Sequence, residues 1–408
     1  MSQGVLSRTI VSTAGMVVQG AARFVYTLAI GRIVGKESLG EVSTILSLAV
    51  FASLFWPAAA GVAASRFIPS QGARGSAVRW LKRSLLASVS VLSVLSVVAA
   101  IAMDQDVAQA IGAAALVIGY SGYVFVRGVL LGADRIVRAA VIDLITSFVA
   151  IGALLLVLLG KLDWALLLPL ALGYAVFAAM SWPVTDHGVA LPDRRESREL
   201  FLFTRDSAIS LVATGALLPA TMILVGATES KTVAGIFAAG LSLATPANLV
   251  AQSVNQVLVP HFARMVAAGD RTIRRSQRRL LAVTSLGFTL VFGLIILLAP
   301  WILGLFYGPR YASGALSMQV LLLAVWLMSV MSVPGAYLVA VGRQRVYARI
   351  WLVSTIVGLA VMAVAAPFLG QWGVLAGFTL GAAGGSIAVV IAGLVLSPKA
   401  RLAPSAVQ

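Results

Sequence analysis

The sequence predicts an all-α, polytopic membrane protein of about 12 transmembrane helices in two six-helix bundles, with both termini cytoplasmic. Three observations predict it. The first is composition: 60% of the 408 residues are hydrophobic and 11% are charged, with a mean hydropathy of +1.00. Soluble domains carry about 25% charged residues, and no stretch between the apolar windows is long enough for a soluble domain. The second is the distribution of Lys and Arg along the chain. The third is an internal repeat.

Apolar windows long enough to cross a bilayer recur at 9–31, 42–64, 84–103, 107–131, 139–160, 164–184, 203–226, 233–259, 280–300, 315–338, 349–369 and 373–396. Alternate connecting segments hold about 22 of the 30 Lys and Arg, among them Arg66, Arg79, Arg83, Arg135, Arg274, Arg278 and Arg345. The other set holds Arg32, Lys36, Lys161, Lys231 and Arg310. Basic residues stay on the cytoplasmic side, so the basic-rich face is read as cytoplasmic. The same rule explains the net charge of +16 without nucleic acid as a partner. The first window is read as a retained helix and not a cleaved signal, because it carries Arg23 and no clear small-residue cleavage site.

The halves repeat. Gly40 to Phe67 matches Gly235 to Phe262 at an offset of 195, and Arg79 and Arg83 then fall on Arg274 and Arg278. Leu131-Gly132 and Arg135 match Val341-Gly342 and Arg345 at an offset of 210. The difference corresponds to an insertion, Trp301 to Gly314, in the second half. The expected organisation is an N-terminal lobe over 1–190, a mixed-charge cytoplasmic linker over 191–202 and a C-terminal lobe over 203–408. Six spans per half give both halves one orientation and a pseudo-twofold axis along the membrane normal, and transport sites lie where such repeats meet.

Candidate functional residues are the polar groups inside the windows. In the first, Ser12, Gln19, Arg23 and Thr27 fall on one helical line. Arg23 lies about 20 Å along the helix from Thr9 at ~1.5 Å per residue, too deep to reach the near interface. A charge at such depth costs from about 2.5 to more than 10 kcal/mol. It marks a polar cavity, or else a buried pair with a carboxylate such as Asp143. In the fourth window Tyr120, Tyr123 and Arg127 share a face, and Arg127 either lines a cavity or snorkels to the interface. In the fifth, Asp143 either neutralises an arginine, the favoured reading, or binds H+ or Na+. In the seventh, Asp206 is the weaker coupling candidate and Arg205 reads as an interface anchor or a ligand. The eighth carries Ser242, Thr245, Asn248, Gln252 and Asn255, amides and hydroxyls suited to sugar or headgroup hydrogen bonds or to joining helices.

Several chemistries are excluded. The chain has no Cys and only two His, His187 and His261, which are too few for a histidine metal site. No Walker-type GxxxxGK[ST], HExxH or GxSxG occurs, so neither ATP use nor a familiar hydrolase is expected. No cofactor or metal is expected, and the chain is read as a non-enzyme.

Three stretches carry a family resemblance: Gly31 to Gly40, GRIVGKESLG, with Arg66-Phe67 beyond it; Leu305 to Met318, LFYGPRYASGALSM; and Val339 to Arg345, VAVGRQR. In order and topology the chain resembles the polysaccharide flippases of the multidrug/oligosaccharidyl-lipid/polysaccharide exporter superfamily. That resemblance implies a V-shaped pair of bundles around a central cavity in the bacterial plasma membrane. It implies flipping of a polyprenyl-diphosphate-linked oligosaccharide from the cytoplasmic to the outer leaflet by alternating access, alongside membrane lipids, polysaccharide polymerase and glycosyltransferases. Arg23 matches the placement of cavity cations in the peptidoglycan-precursor branch, but this chain has fewer intramembrane Arg and lacks that branch's two extra helices. The alternative is a cation-coupled multidrug exporter of the same fold. It needs acidic cavity residues, for which only Asp143 and Asp206 qualify.

Overall fold

A computed structural model of the chain describes residues 2–68, 74–183, 192–268, 270 and 272–396. The side chains of 2–14, 16, 17, 74, 246–253 and 255–257 lie outside the description. All regular structure in the described residues is helical. In chain order the first lobe contains α1 (Ser2–Ile33), α2 (Lys36–Phe55), α3 (Pro57–Phe67), α4 (Arg74–Ala102), α5 (Val107–Gly132), α6 (Ile136–Leu159) and α7 (Leu168–Met180). The second contains α8 (Arg194–Gly215), α9 (Leu217–Thr228), α10 (Lys231–Ala267), α11 (Ile273–Leu297), α12 (Ala299–Tyr307), α13 (Ala315–Val330), α14 (Ser332–Ala340), α15 (Gln344–Leu369) and α16 (Gln371–Val395).

Each of the twelve apolar windows coincides with a helical passage; three passages are made of two helices, and a fourth break separates α11 from α12. A proline follows each break. Pro57, Pro219, Pro300 and Pro334 each lie within three residues after a break, at Trp56, Ala216, Leu298 and Met331. Proline has no N–H to donate to the carbonyl four residues back, and its ring crowds that carbonyl. The bend between α8 and α9 is 63°. The insertion read from the change of offset is α12 followed by a short 3-10 turn, Pro309–Gly314. The segment expected as a linker over 191–202 is helical from Arg194, because the Asp193 side chain accepts from the Glu196 N–H at 2.7 Å and caps α8.

The peripheral helices show what solvent the fold expects. Only 11% of the apolar window of α11 is buried, against 56% in α2 and α5. Val283, Leu286, Leu290, Leu294 and Leu297 form an exposed stripe along α11. In water such a patch would drive aggregation, and in hydrocarbon it is the proper outer surface of a span.

The lobes meet where the two repeats place glycine. Gly40 of α2 and Gly235 of α10 are equivalent at the offset of 195, and they face each other at a helix crossing. A Cβ on Gly40 would sit 2.6 Å from the Lys231 carbonyl oxygen and 2.8 Å from the Gly235 nitrogen. A Cβ on Gly235 would strike the Lys36 carbonyl. Around this crossing Lys231 pairs with Glu41, Gln109 donates to Glu41 at 2.6 Å, and Thr232 donates to Glu37. The crossing lies at the basic-poor ends of α2 and α10 and closes the space between the lobes on that side. Any side chain at Gly235 must push the two backbones apart. Gly235→Ala is therefore expected to open the basic-poor end. A cysteine introduced at Ser43, in a chain without native Cys, should then become reactive to a membrane-impermeant maleimide from that side, at least about tenfold faster than with Gly235 intact. Equal reactivity in both backgrounds would contradict the crossing as the closure.

A cationic cavity between the repeats

Inside the crossing lies a cavity of ≈ 470 Å³, within the range of ligand pockets. It extends from Ser43 and Ala238, one turn inside the glycines, to Ser65 and Leu131 at the basic-rich ends of α3 and α5. Its two facing walls are repeat-equivalent. Ser43, Leu46, Ser47 and Val50 on α2 stand opposite Ala238, Leu241, Ser242 and Thr245 on α10, each pair related by the offset of 195. On α1 and α9 the offset also holds: α1 ends at Ile33 and α9 at Thr228, while Arg23 and Phe24 correspond to Leu218 and Pro219, all four lining the cavity.

The chemistry of the walls does not repeat. Where the first lobe places Arg23 the second places Leu218, and at the offset of 210 Arg127 corresponds to Tyr337. Positive charge in the described lining is therefore confined to the first lobe. Its source is α1 and α5. Arg23 donates to the Tyr174 hydroxyl at 3.1 Å, and its guanidinium lies 5.6 Å from the centroid of the Tyr120 ring. Tyr120, Tyr123 and Tyr174 form one cluster, with centroids 5.0 Å apart for Tyr120–Tyr174 and 5.2 Å for Tyr123–Tyr174. A guanidinium over an aromatic face is stabilised by the ring quadrupole, and neutral phenols orient it without cancelling its charge. Among the described residues no carboxylate pairs with Arg23.

Arg127 is held differently. It lines the cavity, and its Nε meets Asp143 Oδ2 at 3.3 Å, with side-chain exposures of 13% and 0%. The ion pair favoured from sequence is thus formed with Arg127 and not with Arg23. Helix α1 approaches this carboxylate because residue 15 is glycine: a Cβ there would lie 2.9 Å from Asp143 Oδ2. Asp143 Oδ1 is buried and accepts no hydrogen bond. A second, small cavity of ≈ 20 Å³ lies behind the main one, lined by Gln19, Arg23, Tyr26, Thr146, Ser147 and Tyr174 among others. Gln19 and Arg23 line both cavities.

Of the residues singled out from sequence, Gln19, Arg23, Tyr120, Tyr123 and Arg127 come together at the main cavity, with Ser242 and Thr245 opposite. Arg205 and Asp206 do not join them. They pair with each other at 2.8 Å, half or more exposed, and are absent from the lining. Both lie about midway along α8. The side chains of Asn248, Gln252 and Asn255 lie outside the described residues. Sequence reasoning missed Tyr174, which reads as one more aromatic in the apolar helix α7. It also missed Ser43 and Ser47, although the repeat pairs Ser47 with Ser242 and could have pointed to it.

The fold and this cavity define a multi-pass, all-helical membrane protein with a cationic cavity between two repeats. The chain belongs to the polysaccharide biosynthesis protein family, whose model matches residues 5–266. No curated protein sequence matches it significantly. Among solved structures it is similar to the lipid II flippase MurJ in an inward closed conformation, with 12% identity, 94% of this chain and 87% of that one covered, and a TM-score of 0.74. It is also similar to a multidrug resistance MATE family transporter in an inward-facing conformation, with 14% identity, coverage of 94% and 93%, and a TM-score of 0.68. An outward-facing MATE structure aligns with 15% identity, coverage of 95% and 94%, and a TM-score of 0.60. At these identities the likeness establishes the fold.

The buried pair makes its own prediction. Removing one partner of a buried ion pair strands the other and costs about 3 kcal/mol or more, whereas replacing both with apolar groups is close to neutral. Arg127→Met is expected to lower thermal stability in detergent at pH 8 by that order, and Arg127→Met/Asp143→Leu to recover most of it. A double variant no more stable than the single one would show that the pair contributes nothing.

Proposed function

We propose that this protein flips a polyprenyl-diphosphate-linked oligosaccharide from the cytoplasmic to the outer leaflet for cell-surface polysaccharide synthesis. The observation that carries this reading is Arg23, a guanidinium in a membrane cavity, oriented by Tyr174 and Tyr120 and paired with no carboxylate among the described residues. A bare cation held ready in a low-dielectric site suits an anionic ligand. Membership of a polysaccharide biosynthesis family supports a glycan as the cargo, and a flippase of similar fold acts on lipid II.

The physical steps follow from the cavity. A diphosphate diester carries about two negative charges and is expelled from hydrocarbon. Arg23 offers it a planar, bidentate donor. The serines and threonine of α2 and α10 offer hydroxyls to the glycan, and the prenyl tail stays in lipid. The basic-rich face, taken as cytoplasmic, is where the cavity reaches Ser65 and Leu131, so the described state accepts the headgroup from that side. Release requires the Gly40–Gly235 crossing to part while the lobes close at the opposite end. With the cytoplasm negative, each negative charge moved outward gains ~2.3 kcal/mol per 100 mV. The multidrug-exporter alternative is weaker, since Asp206 lies outside the cavity lining and Asp143 is neutralised by Arg127.

In the native cell Arg23→Ala should leave the protein in the membrane, abolish the surface polysaccharide and accumulate the lipid-linked glycan on the cytoplasmic leaflet. Arg23→Lys should retain less than about one-tenth of the transport, because an ammonium lacks the planar fork and stacks less well. Normal export by Arg23→Ala would contradict the proposal.

A further inference from the structure

The two cavity arginines are not equivalent, and the difference bears on how an anion is admitted. This inference rests on the flippase reading and concerns the same cavity. Arg23 is held by phenols alone among the described partners, whereas Arg127 is committed to Asp143. The described wall therefore presents one uncompensated positive charge, while a diphosphate diester brings about two negative ones. Among the described lining residues, the second charge is met when Arg127 turns from Asp143 towards the ligand. Its side chain already lines the cavity with one side and the carboxylate with the other.

We propose that the anionic headgroup displaces Asp143 from Arg127, and that Asp143 takes up one proton as it loses its partner, so that headgroup binding and protonation of Asp143 are linked. The step balances: Arg127 keeps its charge and moves its hydrogen bonds to phosphate oxygens, and the carboxylate charge is cancelled by a proton from solvent. Among the described residues Arg127 is the one cation beside Asp143. From α5 it faces Arg127 and the Tyr123 hydroxyl, α7 contributes Tyr174 nearby, and among the described side chains α1 brings Gly15 against it. No histidine or second carboxylate adjoins it among these groups. Its side chain has no exposure, and Oδ1 lacks a hydrogen-bond partner even in the paired state. An unpaired carboxylate in such a place takes the neutral form. Oδ1 can then carry the proton.

A small cavity lies near Asp143 on α6. The small cavity is lined by Thr146 and Ser147, one turn beyond Asp143, and by Gln19 and Arg23, which also face the main cavity. Its ≈ 20 Å³ has room for one water. Gln19 lies at the boundary between the two cavities and can hydrogen-bond a water there.

The test uses the purified full-length chain in nanodiscs and farnesyl-diphospho-N-acetylglucosamine as probe. Both phosphates of this diester stay ionised over the range used, so the probe's own charge is constant. Calorimetry in two buffers of different ionisation enthalpy should show uptake of close to one proton on binding to the wild-type protein. Affinity should weaken with rising pH, approaching about tenfold per unit. Asp143→Asn should bind without proton uptake and with a flat pH profile, at least as tightly as wild type at low pH. Asp143→Glu should restore the slope. Binding by wild type with no proton uptake, or an equal slope in Asp143→Asn, overturns the linkage and leaves the flippase reading standing. Failure of wild type to bind the probe at any pH, with Arg23→Ala no different, contradicts the flippase reading itself. If Asp143→Asn does not fold, the wild-type proton count alone decides.

Discussion

A guanidinium cannot rest in hydrocarbon without polar company, and this requirement at Arg23 organises the first lobe. The company here is aromatic and neutral. Tyr174 accepts from Arg23 and Tyr120 lies beneath it, so desolvation is offset by a hydrogen bond and a ring quadrupole while the charge remains uncancelled. To supply those phenols α5 and α7 must pack closely, and they do so through glycine: a Cβ at Gly119 would lie 2.8 Å from the Ala171 carbonyl oxygen. The second cation, Arg127, takes the other solution, a fully buried carboxylate, which α1 can approach only because position 15 is glycine. One lobe thus contains a bare cation and a neutralised one side by side.

The repeat supplies the geometry and the departures from it supply the chemistry. Equivalent glycines form the crossing, and equivalent residues of α2 and α10 form facing walls. At the positions that carry charge the symmetry is broken, with Leu218 opposite Arg23 in the repeat. A cation on both walls would repel across the cavity and would hold an anion between the lobes as they separate. With charge on one wall only, the headgroup can remain with the first lobe while the neutral second lobe moves past it.

The architecture was legible because hydrocarbon imposes a simple code. Apolar windows, the Lys and Arg bias and the two offsets located every pass and the α12 insertion. The breaks within passes were less legible, since proline position alone does not say whether a helix kinks or stops. The cavity was read through its charged members, as Arg23 and Arg127 are conspicuous in apolar helices. Tyr174 was not, because a tyrosine in an apolar span has many uses and its partner lies 151 residues away. Arg205 and Asp206 show the converse limit: a helical wheel places them on a face but cannot show that they satisfy each other on the exposed side of α8.

The central claim is that a one-sided cationic cavity moves anionic lipid headgroups. The most direct measurement reconstitutes the protein into sealed vesicles with a labelled prenyl-diphospho-glycan and a matched prenyl glycoside lacking phosphate, and follows leaflet exchange under an applied potential, negative on the basic-rich side. The account predicts that only the diphosphate lipid crosses and that its rate away from the basic-rich side rises with the potential. Equal transfer of the uncharged lipid, or no transfer of the charged one, would contradict it.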